Sequence, residues 1–206
     1  MEILTICGAA LVAAGSVDVH APSAHAQSGP QAAKPQTTAS GEKSEPKTAK
    51  RRVQYGTDRL PAPVVDMREA IQAAIRAGDI TALRPAIQMN ELKPDFGAGD
   101  SDPISHLQRL SADGTGRDIL AILANLLDAG FATVPLGRDA ENNGLFVWPY
   151  HAEVPLDALS PGQYVEFLRI VPHSEARAMV AAKRYSGWRL VIGADGVWHA
   201  FVRQKE

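Results

Sequence analysis

The sequence predicts an α+β fold, a helical N-terminal half packed on a small antiparallel sheet that ends in a C-terminal β-hairpin. Three observations carry this. Between residues 62 and 129 the apolar residues recur at three- and four-residue spacing, the period of a helix with one buried face. Nine of the twelve aromatic residues lie between Phe146 and Phe201, in short runs suited to strands. Near the C-terminus two apolar runs flank Ala194-Asp195-Gly196, a hairpin signature.

Val64, Met67, Ile71, Ala74 and Ile75 form the stripe of a first helix, which Gly78 stops. Asp79 then caps a short second helix bearing Ile80, Leu83 and Ile87, interrupted or restarted at Pro85. Asp102-Pro103 joins a cap to a proline in the first turn, and Ile104, Leu107 and Leu110 follow as its stripe. Gly116 to Ala129 carries Ile119, Leu120, Ile122, Leu123, Leu126 and Leu127, the widest apolar face in the chain and the expected central helix. Gly130 ends it.

Strands are expected over 131–136 and 145–150, joined by a polar turn at Asn142-Asn143-Gly144. Ser160-Pro161-Gly162-Gln163 is a capping box, in which serine oxygen and glutamine side chain satisfy free backbone donors reciprocally. Its helix presents Tyr164, Phe167, Leu168 and Val171; Pro172 breaks it, and Ser174 caps a last helix to about Lys183. In the closing hairpin, a three-residue loop with Gly196 left-handed puts Trp188, Leu190, Ile192, Trp198, Ala200 and Val202 on one face. A two-residue turn would instead set His199 and Phe201 beside Trp188. The first arrangement gives one coherent apolar face and is the one expected.

Residues 1–26 read as a signal peptide. About a dozen apolar residues from Ile3 to Ala14 are too few to span a bilayer, which takes roughly 20. Pro22, His20 and the polar stretch beyond argue against a buried helix. Ala24 and Ala26 stand at the −3 and −1 positions of a cleavage site before Gln27. Glu2 replaces the usual basic start, so the start codon is expected upstream. Cys7 has neither the small preceding residue nor the upstream apolar core of a lipidation site. Its removal would leave a mature chain without cysteine, and so without disulfides or thiolate chemistry.

Residues 27–59 are rich in Gln, Pro, Ala, Thr and Lys and lack apolar periodicity, the composition of a disordered linker. They carry net charge +4 and residues 60–206 net −4, so a near-neutral total hides a basic leash on an acidic body. The leash is either a solvated spacer or a salt-sensitive contact with anionic envelope polymer or lipid. Nucleic acid is not an expected partner of a body without a basic face. The 147 residues of 60–206 suffice for a single globular domain, and no mature segment reaches transmembrane length.

Trp148-Pro149-Tyr150-His151-Ala152-Glu153 is the densest cluster of chemically unusual side chains. Aromatic walls with a histidine and a carboxylate suit a small molecule or glycan, with His151 or Glu153 carrying protons. The simpler and preferred account makes Trp148 core, Pro149 a strand end, and His151 and Glu153 surface residues. His199 beside Trp198 and near Arg189 extends the candidate ligand-binding set to Trp148, Tyr150, His151, Glu153, Arg189, Trp198 and His199. His106 and His173 sit at helix starts and read as local structure.

No metal and no cofactor is expected. Asp139, Glu141, Asn143 and Gly144 imitate the opening of a calcium loop, but Tyr150 occupies the position of its bidentate glutamate. Asp95, Asp100 and Asp102 share another loop, where Asp102 already has a capping role. Residues 111–117 open the central helix without the lysine or spacing of a phosphate loop. Nucleophile-elbow, zinc-protease and dinucleotide motifs are absent, so catalytic residues stay unassigned.

Phe146-Val147-Trp148-Pro149-Tyr150-His151-Ala152-Glu153 and the closing Trp188–Val202 segment resemble an uncharacterised family of exported alphaproteobacterial proteins, typical of rhizobia, over the whole domain from about Leu60. The resemblance implies a Gram-negative periplasm and supplies no catalytic residues. The helices-first, sheet-last order with Ala77-Gly78-Asp79 also resembles nuclear-transport-factor-2-like domains. The expected role is a non-catalytic binding or interaction module of the cell envelope, its partner an envelope protein or polymer. The alternative is a small-molecule-binding protein or hydrolase with an aromatic pocket.

Overall fold

A computed structural model describes residues 52–136 and 143–204. Ala24, Ala26 and Gln27, most of the leash, and Asp139 and Glu141 lie outside the described residues. The fold is α+β. Five strands, β1 (Val53–Gln54), β2 (Phe131–Pro135), β3 (Gly144–Trp148), β4 (Trp188–Gly193) and β5 (Trp198–Arg203), form one antiparallel sheet in sequential order. Among the described residues six α-helices accompany it: α1 (Ala62–Ala77), α2 (Arg84–Gln88), α3 (Pro103–Leu110), α4 (Arg117–Asp128), α5 (Pro161–Ile170) and α6 (His173–Ala181).

Most helix ends follow from the residues expected to set them. Gly78 closes α1 at φ 63°, its N–H reaching the Ala74 and Ile75 carbonyls. Asp79 caps a 3-10 turn, Ile80–Leu83, that runs directly into α2. Asp102 caps α3, accepting from the Ser105 N–H at 2.9 Å. Gly116 starts α4 at φ 80°, and a Cβ there would stand 2.6 Å from the Ile80 Cβ, so neither its conformation nor its packing admits a larger residue. The capping box of Ser160 and Gln163 is complete.

One helix start differs from expectation. The N-cap of α6 is Pro172 rather than Ser174, because the extended Pro172 already turns the chain and its carbonyl accepts from the Ala176 N–H at 2.9 Å. The domain also begins earlier than Leu60. Val53 and Gln54 pair with Ala132 and Phe131, because β2 is the first long strand and offers them an open edge.

One core joins helices to sheet. Val64, Met67 and Ile71 of α1 and Leu120, Leu123 and Leu127 of α4 pack with Phe131, Phe146, Trp148, Leu190, Ile192, Trp198 and Phe201. The opposite sheet face is apolar too, with Ala132, Val147 and Val191 buried. A smaller cluster of Leu156, Phe167, Val171, Ala176, Met179 and Tyr185 knits α5 and α6 together.

The hairpin corrects the sequence expectation in an instructive way. Its loop is the expected three residues, Ala194 to Gly196, with Gly196 at φ 83° and the Gly193 N–H bonded to the Val197 carbonyl at 2.8 Å. A bulge follows at once: Ile192 faces Trp198 whereas Val191 faces Ala200. The extra residue shifts the alternation, so Trp198 and Phe201 both enter the core and Ala200 and Val202 do not share their face.

Candidate functional site

The seven candidate residues divide into three groups. Trp148, Tyr150 and Trp198 are core: each is at most 1% exposed. Trp148 packs on Phe131 with ring centroids 5.1 Å apart, and Trp198 meets Phe96 edge-on at 4.9 Å while its indole N–H donates to the Ala200 carbonyl. Tyr150 sends its hydroxyl to Glu166 Oε2 at 2.8 Å, and exposed Tyr55 donates to the same oxygen at 2.9 Å. Burial first, then the bond to Glu166, raises the Tyr150 hydroxyl far above the usual phenol range. These contacts tie α5 to the end of the sheet.

His199 stands apart and exposed, at the hairpin bulge. Its carbonyl accepts from the Asp95 N–H at 2.8 Å, so this position serves the backbone of the Asp95 loop.

Glu153 and Arg189 approach one another, and His151 stands two residues before Glu153. After β3 the chain turns through Pro149 into a 3-10 turn, Tyr150–Ala152, which places the His151 ring between Tyr150 and Phe167, stacked at 3.9 and 5.0 Å. Contrary to the surface position expected, the imidazole is fully buried between those rings, and its Nε2 lies 3.0 Å from the Gln163 carbonyl. A carbonyl only accepts, so Nε2 carries the proton and Nδ1 is left with a bare lone pair. That Nδ1 is buried and has no partner. Desolvation holds the His151 pKa below its ordinary value, against weaker upward pulls from the Gln163 carbonyl and the Glu166 carboxylate.

His151 forms part of the wall of a cleft of about 520 Å³ with Ala152, Lys183, Arg184, Tyr185 and Gln204. Arg189 is not in the wall itself but reaches Gln204, which is. The Gln204 amide accepts from Arg189 Nη1 at 2.8 Å and donates to the Tyr185 carbonyl at 2.9 Å. Arg189 Nη2 stands 3.9 Å from Glu153, close enough for attraction and too far for a hydrogen bond. The buried Arg189 Nε has no partner. Lys183 is paired with Asp157 at 2.7 Å, and the exposed Arg184 has no carboxylate partner among the described residues.

Lys183, Arg184, Tyr185 and Gln204 were not among the sequence candidates. Their one signal is the run Lys183-Arg184-Tyr185 between the last helix and β4, which reads equally well as a solvated helix end. Trp188 was also passed over, although it is the tryptophan that stays half-exposed. With Phe96, His106, Leu110 and Val202 it lines a broader groove of about 1000 Å³. Gln204 borders both, and the buried His151 in the wall of the smaller cleft is what sets it apart as the candidate.

The resting chemistry elsewhere is self-contained. Asp118 at the start of α4 accepts from Ser111 Oγ and from the Ala112 and Ile119 N–H groups, filling the place an anion would take. Among the described residues no three His, Cys, Asp or Glu side chains gather as metal ligands. No described helix is long and apolar enough to cross a membrane. Compared with protein-family models, with curated proteins and with solved structures, the chain finds no match, and the cleft must be read from its own atoms.

Proposed function

We propose that this chain is an exported, non-catalytic binding module of the cell envelope that holds its ligand in the cleft beside His151. The observation that carries this reading is the cleft of about 520 Å³ itself, which has Lys183, Arg184 and the fully buried His151 among its lining residues.

Binding rather than turnover is favoured by the state of His151. Burial weakens it as a base, and its Nε2–H is held by a backbone carbonyl, not by the carboxylate that would stabilise an imidazolium. Trp148 and Trp198 lie in the core, which weighs against the alternative of an aromatic-walled hydrolase pocket. Export rests on the sequence of residues 1–26.

Two measurements test the reading. N-terminal sequencing of the protein from its own cells should begin at Gln27; an intact Met1 would contradict export. Native mass spectrometry of the same material should show a small molecule released on denaturation and lost in Arg184→Glu, a change to an exposed residue of the cleft wall. Retention of that molecule by the variant would remove the cleft from consideration.

A further inference from the structure

A second cavity, of about 190 Å³, lies between the end of α4 and α5 and shares no lining residue with the cleft beside His151. Tyr55, Asp128, Gly130, Glu166 and Arg169 are among its walls. Gly130 gives it its shape: a Cβ there would stand 2.8 Å from Tyr55 Cε1 and 2.9 Å from Tyr150 Cδ1, so any side chain would push Tyr55 off that wall. Glu166 and Arg169 are three residues apart on α5, a spacing at which opposite charges ordinarily pair across one turn. No ion pair joins them, and among the described residues neither has another ion-pair partner. Hydroxyls hold Glu166 instead, with Tyr150 at 2.8 Å and Tyr55 at 2.9 Å both on Oε2. Oε1 has only the Tyr55 hydroxyl near it, at 3.2 Å, and a carboxylate accepts about four hydrogen bonds, so room for a further donor remains. The α4 terminus adds to the negative side. Its last turn has no basic residue and ends on the exposed Asp128, where a helix dipole favours a cation. Arg68 reaches the Leu127 carbonyl at 2.8 Å without pairing with Asp128. The cavity therefore sets two carboxylates against one free guanidinium.

We infer that this cavity binds a small free amino acid as its zwitterion, the ammonium group on Glu166 and Asp128 and the carboxylate on Arg169. Each unpaired charge of the wall then meets its opposite. A primary ammonium supplies the hydrogen that Glu166 Oε1 lacks, and a guanidinium matches two carboxylate oxygens at once with its planar donors. A volume of about 190 Å³ holds about six groups the size of water, at about 30 Å³ each, which suits alanine.

Calorimetric titration of the exported chain with alanine, alaninamide and N-acetylalanine tests this. Alanine should bind at least about ten-fold more tightly than either derivative, since each has lost one of its charges. Arg169→Gln, at an exposed position, should bring alanine down to the affinity of alaninamide and leave alaninamide unchanged, a pattern that loss of folding would not produce. Asp128→Asn, also exposed, should weaken alanine and alaninamide about ten-fold and leave N-acetylalanine unchanged. Arg184→Glu, in the wall of the other cleft, should leave alanine binding as it was, so that the two sites stand or fall separately. Equal affinity for alanine and either derivative, alanine binding that survives Arg169→Gln, alanine binding lost in Arg184→Glu, or no binding of any of the three overturns the inference.

Discussion

His151 shows how one residue's surroundings fix its chemistry. Two aromatic rings remove water, a single carbonyl takes its one proton, and the neutral form results. The folded-state pKa lies below the ordinary 6.5, so the unfolded chain binds the extra proton more readily. Stability from this group is therefore complete above pH 6.5 and is lost as the pH falls from there through the folded-state pKa. A second loss begins near 3.8, where the unfolded chain takes up protons, and runs through the lower folded-state values of Asp79, Asp102, Asp113, Asp118 and Asp157, all held down by hydrogen bonds. Urea melts at a series of pH values should show both limbs, and His151→Phe should abolish only the upper one. Tyr150→Phe should cost about 1 kcal/mol in the same assay, since Glu166 keeps its bond from Tyr55. That His151 was unusual was legible in the sequence. Its burial was not, because the ring is enclosed by Phe167 on a helix whose packing no local pattern announces.

At the scale of elements, the caps were legible because their signals are local. Asp79, Asp102, Ser160 and Gly78 act within a few residues of themselves. The hairpin bulge was not legible, because a distant residue supports it. Asn90 Oδ1 accepts the Trp198 N–H at 2.6 Å, and its amide nitrogen donates to the Ala86 and Ile87 carbonyls at the end of α2. Asn90 thus fastens the helical half to β5. Asn90→Ala should cost about 1–3 kcal/mol in denaturant melts, the range for a buried backbone donor left unpaired. Ser160→Ala should cost about 1 kcal/mol, since it removes one N-cap bond. If Asn90→Ala proves the milder of the two, the bulge does not depend on it.

For the whole molecule, the division into a helical first half and a sheet-forming second half was readable from periodicity and aromatic placement. The missing piece was β1, only Val53–Gln54, inside a stretch whose composition reads as linker. Two residues are too few to show an alternating pattern, so only the open edge of β2 reveals them. A chain beginning at Leu60 should melt at a lower temperature than one beginning at Arg52, having lost the β1 pairing and the Tyr55–Glu166 bond. Leu123→Ala, at the fully buried centre of α4, should cost about 2–5 kcal/mol. The cleft is likewise a product of the whole fold, since its walls come from the turn after β3, the link from α6 to β4, and the end of β5. The most direct test of its role is native mass spectrometry of the protein from its own cells beside its Arg184→Glu variant, which changes an exposed residue of the cleft wall. A small molecule released on denaturation of the unaltered protein and lost from the variant is the expected result. The same molecule retained by the variant would contradict the assignment of this cleft as the binding site.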